Sequence, residues 1–177
     1  NFFLFKICSS LKLKIVLHTY MDVKIKTDDA KIFNYCARAI IQQDDKFLIM
    51  SLNDAEYYHL PGGHVEIGES SADALNREIQ EEVCIEVNLD KIVLASEEFY
   101  RKLDLDVHSV IFYYLAKPKV RVLTENSVRM EQGRTRVNKI LLRWVTCDEL
   151  AKIDLRPTFM KDLILKRNFQ TFRHYID

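Results

Sequence analysis

Residues 60–86 read LPGGHVEIGESSADALNREIQEEVCIE, and this stretch departs from the average of the chain. Three of the four glycines in the protein, Gly62, Gly63 and Gly68, fall within it. Residues 66–86 carry seven acids (Glu66, Glu69, Asp73, Glu78, Glu81, Glu82 and Glu86) against one base, Arg77, although the chain as a whole sums to zero charge. Ser70 and Ser71 are good N-cap residues, and Asp73 falls in the first turn, where the helix dipole favours an anion. The spacing predicts a helix over 70–84. At about 100° per residue, Ala72, Leu75, Ile79 and Val83 share the core-facing stripe. Glu78, Glu81 and Glu82 share an adjoining stripe at i, i+3 and i+4. A solvated face normally mixes signs or sets Glu four residues before Lys. Crowded like charges cost stability unless a cation compensates, and Mg²⁺ and Mn²⁺ take oxygen ligands, commonly shared with substrate phosphates. A divalent-metal site is therefore the first reading, and an acidic solvated helix face is the other.

On either side of this stretch the pattern alternates strand and helix. Residues 34–42 read as a strand, Asp44-Asp45-Lys46 as a turn and residues 47–52 as the returning strand. A polar and aromatic loop follows at 53–58. Residues 91–103 and 107–116, rich in Val, Ile, Phe and Tyr, predict a hairpin turning near 104–106. Residues 124–138 are polar, contain Gly133 and read as a long loop. Residues 139–146 predict another strand, Asp148 a cap for a short helix from Glu149, and Pro157 the opening of a last helix.

The composition bounds the possibilities further. With 177 residues, 48% hydrophobic and 29% charged, the chain can bury a full core and is not dominated by disorder. Its neutral balance argues against a nucleic-acid partner, and it has no long uncharged apolar run to span a membrane. Cys8, Cys36, Cys84 and Cys147 form no CxxC pair and read as reduced thiols, which points to the cytoplasm. Residues 1–20 mix apolar residues with Lys6, Lys12 and Lys14 and read as an N-terminal extension, with Met21 an alternative start. A single domain is expected over 21–177.

Residues 63–85 resemble the Nudix box, the pattern Gly, five residues, Glu, seven residues, then Arg-Glu-aliphatic-any-Glu-Glu-any-Gly-aliphatic. Gly63, Glu69, Arg77, Glu78, Ile79, Glu81, Glu82 and Ile85 match at the required spacing. Leu60-Pro61-Gly62-Gly63 is also typical of that superfamily. More loosely, the resemblance extends over residues 34–167, where Glu98-Phe99-Tyr100, His108 and Trp144-Val145 through Asp148-Glu149-Leu150 are similar to segments of small bacterial Nudix hydrolases. The single departure within the box is Cys84, where the family has glycine. A glycine just past a helix tolerates the left-handed conformation, so cysteine there costs about 1 kcal/mol or reshapes the turn.

The resemblance implies an α/β fold, the Nudix α/β/α sandwich with a mixed β-sheet and the box as loop–helix–loop. It implies Mg²⁺- or Mn²⁺-dependent hydrolysis of a phosphoanhydride in a nucleoside diphosphate linked to a further group X, with ADP-ribose-like compounds, nucleotide sugars and nucleoside triphosphates all open. Glu78, Glu81 and Glu82 map onto the metal-binding glutamates, the Gly63 carbonyl onto a backbone metal ligand, and Glu69 with Arg77 onto a pair that orients the catalytic helix. The general base varies within the family. Glu78 assists in some members, and Glu125 and Glu131 are candidates here, with Glu131 preferred. Tyr58, His59 and Gly62 are candidates for substrate binding, and a homodimer is a common family arrangement. A catalytically silent regulatory domain is the alternative, against which the intact glutamates argue. An isomerase-like reading lacks an identifiable cysteine and glutamate context, and an RNA-cap-removing reading lacks a basic path.

Overall fold

A computed structural model describes residues 22–27, 30–124, 126–132 and 137–176. The expected extension at 1–20, Met21, Glu125 and Gly133 lie outside the described residues. In chain order the elements are β1 (Lys24–Lys26), β2 (Lys31–Gln43), β3 (Lys46–Leu52), β4 (Gly62–His64), α1 (Ser71–Glu82), β5 (Val87–Lys102), β6 (Leu105–Pro118), β7 (Asn126–Gln132), β8 (Val137–Val145), α2 (Cys147–Leu150), α3 (Thr158–Leu165) and β9 (Arg173–Ile176).

The strands form a nine-stranded mixed sheet in the order β7-β8-β3-β2-β6-β5-β9, with β1 and β4 also paired to β2. β2 runs parallel to β6, and β5 parallel to β9. Alternation along each strand loads two cores. Cys36, Ile40, Phe47, Ile49, Ile111 and Tyr113 face one side, where Leu150, Met160, Leu163 and Ile164 of the C-terminal helical region cover them. Ala37, Ala39, Ile41, Leu48, Met50 and Tyr114 face the other, under Ala74, Leu75, Ile79 and Val83. The expected α/β/α sandwich is the fold: a twofold period in the strands needs a cover on each face, and α1 and α2–α3 supply the two covers.

The site is placed by a fork in the sheet. β2 and β3 pair beside their turn, at Gln42–Phe47 and Gln43–Lys46. Further along, the 59–64 segment sits between them. His59 exchanges backbone hydrogen bonds with Met50 of β3, and Gly62–His64 pairs antiparallel with Cys36–Arg38 of β2. The glycine turn is thereby held by two strands and lies at the foot of α1.

Most predicted elements are present with shifted ends, and three differ. The expected loop at 124–138 contains β7, paired along its length with β8. Its pattern misleads because Ser127, Arg129 and Glu131, the half-buried set, are polar, while Val128 and Met130 are exposed. Arg129 donates to the Val83 carbonyl and contacts the Cys84 thiol at the end of α1, while Ser127 lines a small cavity with Leu48, Leu142 and Trp144, so polar side chains hold the inward positions and the usual apolar signature is absent. The cap of α2 is Thr146, two residues before Asp148, in a reciprocal box with Glu149; this is the Thr-x-x-Glu spacing. The short β1, β4 and β9 have no sequence signature and exist through tertiary pairing.

Cys84 takes the left-handed conformation that a glycine would favour, with φ of 57°. Its N–H donates to the carbonyls of Gln80 and Ile79 at 3.2 and 3.1 Å, closing the helix as a left-handed C-terminal cap does. Cys84→Gly removes a side chain from a strained position at some cost in unfolded-state entropy, so stability is expected to rise by about 0.5–1 kcal/mol, whereas the β-branched Cys84→Val lowers it; denaturant melts check both signs.

Candidate active site

The acidic face of α1 is held from its first turn. Ser70 accepts from the Asp73 N–H at 3.1 Å, and Ser71 Oγ lies 2.7 Å from the Tyr114 hydroxyl on β6, which fixes the start of the helix over the sheet. Arg77 then gathers the surrounding acids. Its Nε and Nη2 engage both oxygens of Glu69 at 3.0 and 2.9 Å, Nη1 donates to Glu78 at 2.8 Å and reaches Glu81 at 3.5 Å, and Nη2 also donates to the His64 carbonyl at 3.0 Å. A two-point guanidinium–carboxylate contact fixes orientation as well as charge. Glu69 in turn accepts from the Glu66 N–H at 3.1 Å, so the turn before the helix is tied to the helix itself.

The three glutamates differ in environment. Glu82 is 7% exposed and accepts a hydrogen bond from the Gly62 N–H at 3.0 Å. The Glu78 side chain is 16% exposed and Glu81 is 39% exposed. Burial pushes the Glu82 carboxyl up to about 8, the Gly62 hydrogen bond pulling the other way and Glu78 adding to the rise. Burial likewise raises Glu78 to about 7, with Arg77 opposing, and raises Glu81. Glu131 on β7 adds negative potential at all three. Its carboxylate is half-buried and accepts from Asn138 at 3.4 Å.

The two glycines of the turn are required for different reasons. Gly62 has φ of 127°, and a Cβ there would run into the Ala37 carbonyl oxygen and lie 2.8 Å from the Arg38 Cα, both backbone atoms. Gly63 faces the acids: a Cβ would come within 2.5 Å of the Glu78 carboxyl carbon and 2.6 Å of its nearer oxygen. The absent side chain lets the Gly63 backbone and the Glu78 carboxylate approach each other closely.

The sequence-derived residues are therefore distributed unevenly. Gly62, Gly63, Glu69, Arg77, Glu78, Glu81, Glu82 and Glu131 are brought together along one face of α1. His59 lies on the same turn, its Nδ1 3.3 Å from Arg38 Nη1. The same nitrogen lies 3.2 Å from the Leu60 carbonyl, so it faces a donor and an acceptor at once. Burial, reinforced by Arg38, lowers the His59 pKa to about 3, which keeps the imidazole neutral. Tyr58 turns elsewhere: its backbone pairs with Asp154 and Arg156, and Arg143 lies over its ring and donates to its hydroxyl at 3.3 Å. Sequence reading passed over Arg38. The available signal was a cation in the middle of the otherwise uncharged strand run Tyr35-Cys36-Ala37-Arg38-Ala39-Ile40-Ile41.

Among the described residues, no group of three His, Cys, Asp or Glu side chains is already arranged to hold a metal ion. Glu78 points to Arg77 and Glu82 to the Gly62 amide instead. The donor chemistry nevertheless fits a hard divalent cation: oxygen ligands, two carboxyls raised by burial, and a backbone left open at Gly63. A carboxyl with a raised folded-state pKa binds its proton more tightly folded than unfolded. Its stabilising contribution is full below the ordinary value of 4.5 and is lost as pH rises through about 7 for Glu78 and about 8 for Glu82. Without divalent cations, the melting temperature should accordingly fall from pH 5 to pH 8, and Glu82→Gln should flatten that slope; a buffer series read by circular dichroism measures both.

Comparison with known proteins gives this geometry a context. The family model described as NUDIX domain matches residues 34–166. No curated protein sequence matches the chain. Among solved structures, an ADP-ribose pyrophosphatase from Streptococcus suis is 21% identical, with 81% of this chain and 98% of that one covered at a TM-score of 0.54. A MutT protein from Bacillus halodurans is 20% identical over 80% of this chain and 86% of its own, at 0.58. A NUDIX hydrolase from Nitrosomonas europaea is 17% identical over 81% and 78%, at 0.59. These likenesses show the shared fold, and the family model covers most of the chain. The chain belongs to the NUDIX domain family.

Proposed function

We propose that the protein hydrolyses a phosphoanhydride bond in a nucleoside diphosphate linked to a further group, with Mg²⁺ or Mn²⁺ as cofactor. The observation that carries this reading is the placement of Glu78 and Glu82, a half-buried and a buried carboxyl with raised pKa, against the Gly62-Gly63 backbone. Glu78, Glu81, Glu82 and the Gly63 carbonyl would hold the cation. Bound there, it supplies positive charge against phosphoryl oxygens and lowers the pKa of water, a contribution a chain of zero net charge does not otherwise make.

The protein's own groups then have distinct tasks. Glu69 and Arg77 orient α1 and keep the Glu78 carboxylate turned toward the glycine turn. Glu131, on the strand facing the end of α1, is the preferred acceptor of the proton from the attacking water, and Glu78 can assist. A positioned carboxylate of this kind contributes a factor of about 10²–10⁴ in rate. His59 and Gly62 would meet the substrate along the same loop, His59 as a neutral imidazole. The products are a nucleoside monophosphate and the phosphorylated remainder, or pyrophosphate where the substrate is a triphosphate. The Streptococcus suis likeness puts ADP-ribose first in a substrate panel. Cytoplasmic location follows from the cysteine usage, and a homodimer from family habit.

Two measurements test this. A hydrolysis panel of ADP-ribose, nucleotide sugars, dinucleoside polyphosphates and triphosphates, with Mg²⁺ or Mn²⁺, should show metal-dependent product release by chromatography; no cleavage across the panel would favour a silent regulatory domain. In the active protein, Glu82→Gln should lower turnover by about 10²-fold or more while the fold persists. Gly63→Ala should also fold, because the atom it displaces is the end of the Glu78 side chain, yet lose most activity.

A further inference from the structure

Arg38 is the one cation on the strand run from Tyr35 to Ile41. It sits on β2 in register with Gly62. Its Nη1 donates to the Leu60 carbonyl at 2.6 Å, approaches the Gly62 carbonyl at 3.3 Å, and approaches His59 Nδ1 at the same 3.3 Å. Among the described residues no carboxylate lies within ion-pair distance of it; Glu82 and Glu98 act on it only through space. Holding a part-buried guanidinium on backbone carbonyls alone is costly unless its fork replaces the water those carbonyls would otherwise bind. The carbonyls it selects belong to the turn that bears on α1.

We propose that Arg38 is a positioning residue that clamps the glycine turn against the catalytic helix. Gly62 is bracketed on both sides: its carbonyl faces Arg38 from the sheet, and its N–H donates at 3.0 Å to Glu82 from the helix. These two contacts fix the peptide plane on each side of a residue whose φ of 127° gives it the freedom to turn otherwise. Gly63, the next residue, is the one whose backbone abuts the Glu78 carboxylate. Rotation of the Leu60–Gly62 carbonyls would carry the Gly63 carbonyl and the Glu82 hydrogen bond with it. The same guanidinium nitrogen lies 3.3 Å from His59 Nδ1, so one side chain touches both the turn and the neighbouring imidazole. This inference rests on the hydrolase reading for its kinetic consequence, but the clamp itself is a property of the folded chain.

The test uses Arg38→Met and Arg38→Lys in the full chain, with two independent readouts. The first is the amide resonance and hydrogen-exchange protection of Gly62 and Gly63 by nuclear magnetic resonance. The clamp predicts shifted resonances and lost protection in Arg38→Met and partial recovery in Arg38→Lys, which keeps one cationic donor. The second is steady-state kinetics on a cleaved nucleotide, where kcat should fall by about 10²-fold, as for a misplacement on the order of 1 Å, with KM within about twofold of wild type. A rise in KM with kcat unchanged would make Arg38 a substrate contact and overturn the proposal. Lower thermal stability with kcat and both glycine amides unchanged would make it merely structural and overturn it equally. If the wild-type protein cleaves nothing, the hydrolase reading falls while the amide measurement still decides the clamp. Should Arg38→Met fail to fold, the Gly62 and Gly63 amides of Arg38→Lys carry the test, and wild-type protection there would count against the clamp.

Discussion

Mutual repulsion among carboxylates at the end of α1 is the constraint around which the site is built. Glu78, Glu81 and Glu82 lie within one helical turn, and Glu131 adds its charge from β7. Within the chain the cost is met by three means. Arg77 neutralises part of the charge, the Gly62 amide serves Glu82, and protonation becomes easier, with Glu78 and Glu82 raised to about 7 and 8. An arrangement needing this much compensation is a poor way to stabilise a helix and a good way to capture a hard cation.

The fold supplies the setting. Alternation along β2, β3, β6 and β8 fills two cores, and the helices on either face close them. The fork between β2 and β3 then leaves a gap for the 59–64 segment, so the glycine turn is hydrogen-bonded from both sides instead of swinging as a free loop. Side chains from the sheet, the turn and the helix thus converge without any of them spanning a long flexible connection, which is how a scaffold holds catalytic geometry.

Sequence and structure meet most closely where one element carries the whole message. The spacing of Glu69, Arg77, Glu78, Glu81 and Glu82 sits within one turn-and-helix unit, so local periodicity and the family resemblance suffice to place it. Ser70 is readable as a cap for the same reason, and the left-handed Cys84 follows from where the helix stops. β7 is hidden because its inward residues, Ser127, Arg129 and Glu131, are themselves polar. Arg38 was hidden because its partners, Leu60 and Gly62, are carbonyls more than twenty residues away, and backbone acceptors leave no trace in a sequence. Glu131 is legible as a candidate acid, but the polar run around it reads as a loop; its position on a strand beside α1 emerges from β7–β8 pairing.

Titration of Mn²⁺ into the protein at pH 8, with the free-ion signal followed by electron paramagnetic resonance, measures cation capture by these carboxylates. With a non-hydrolysable nucleoside diphosphate analogue present, the wild-type chain should suppress the free signal, and replacing both Glu78 and Glu82 by glutamine should restore it. A free-ion signal identical to buffer plus analogue in the presence of wild-type protein would contradict that capture.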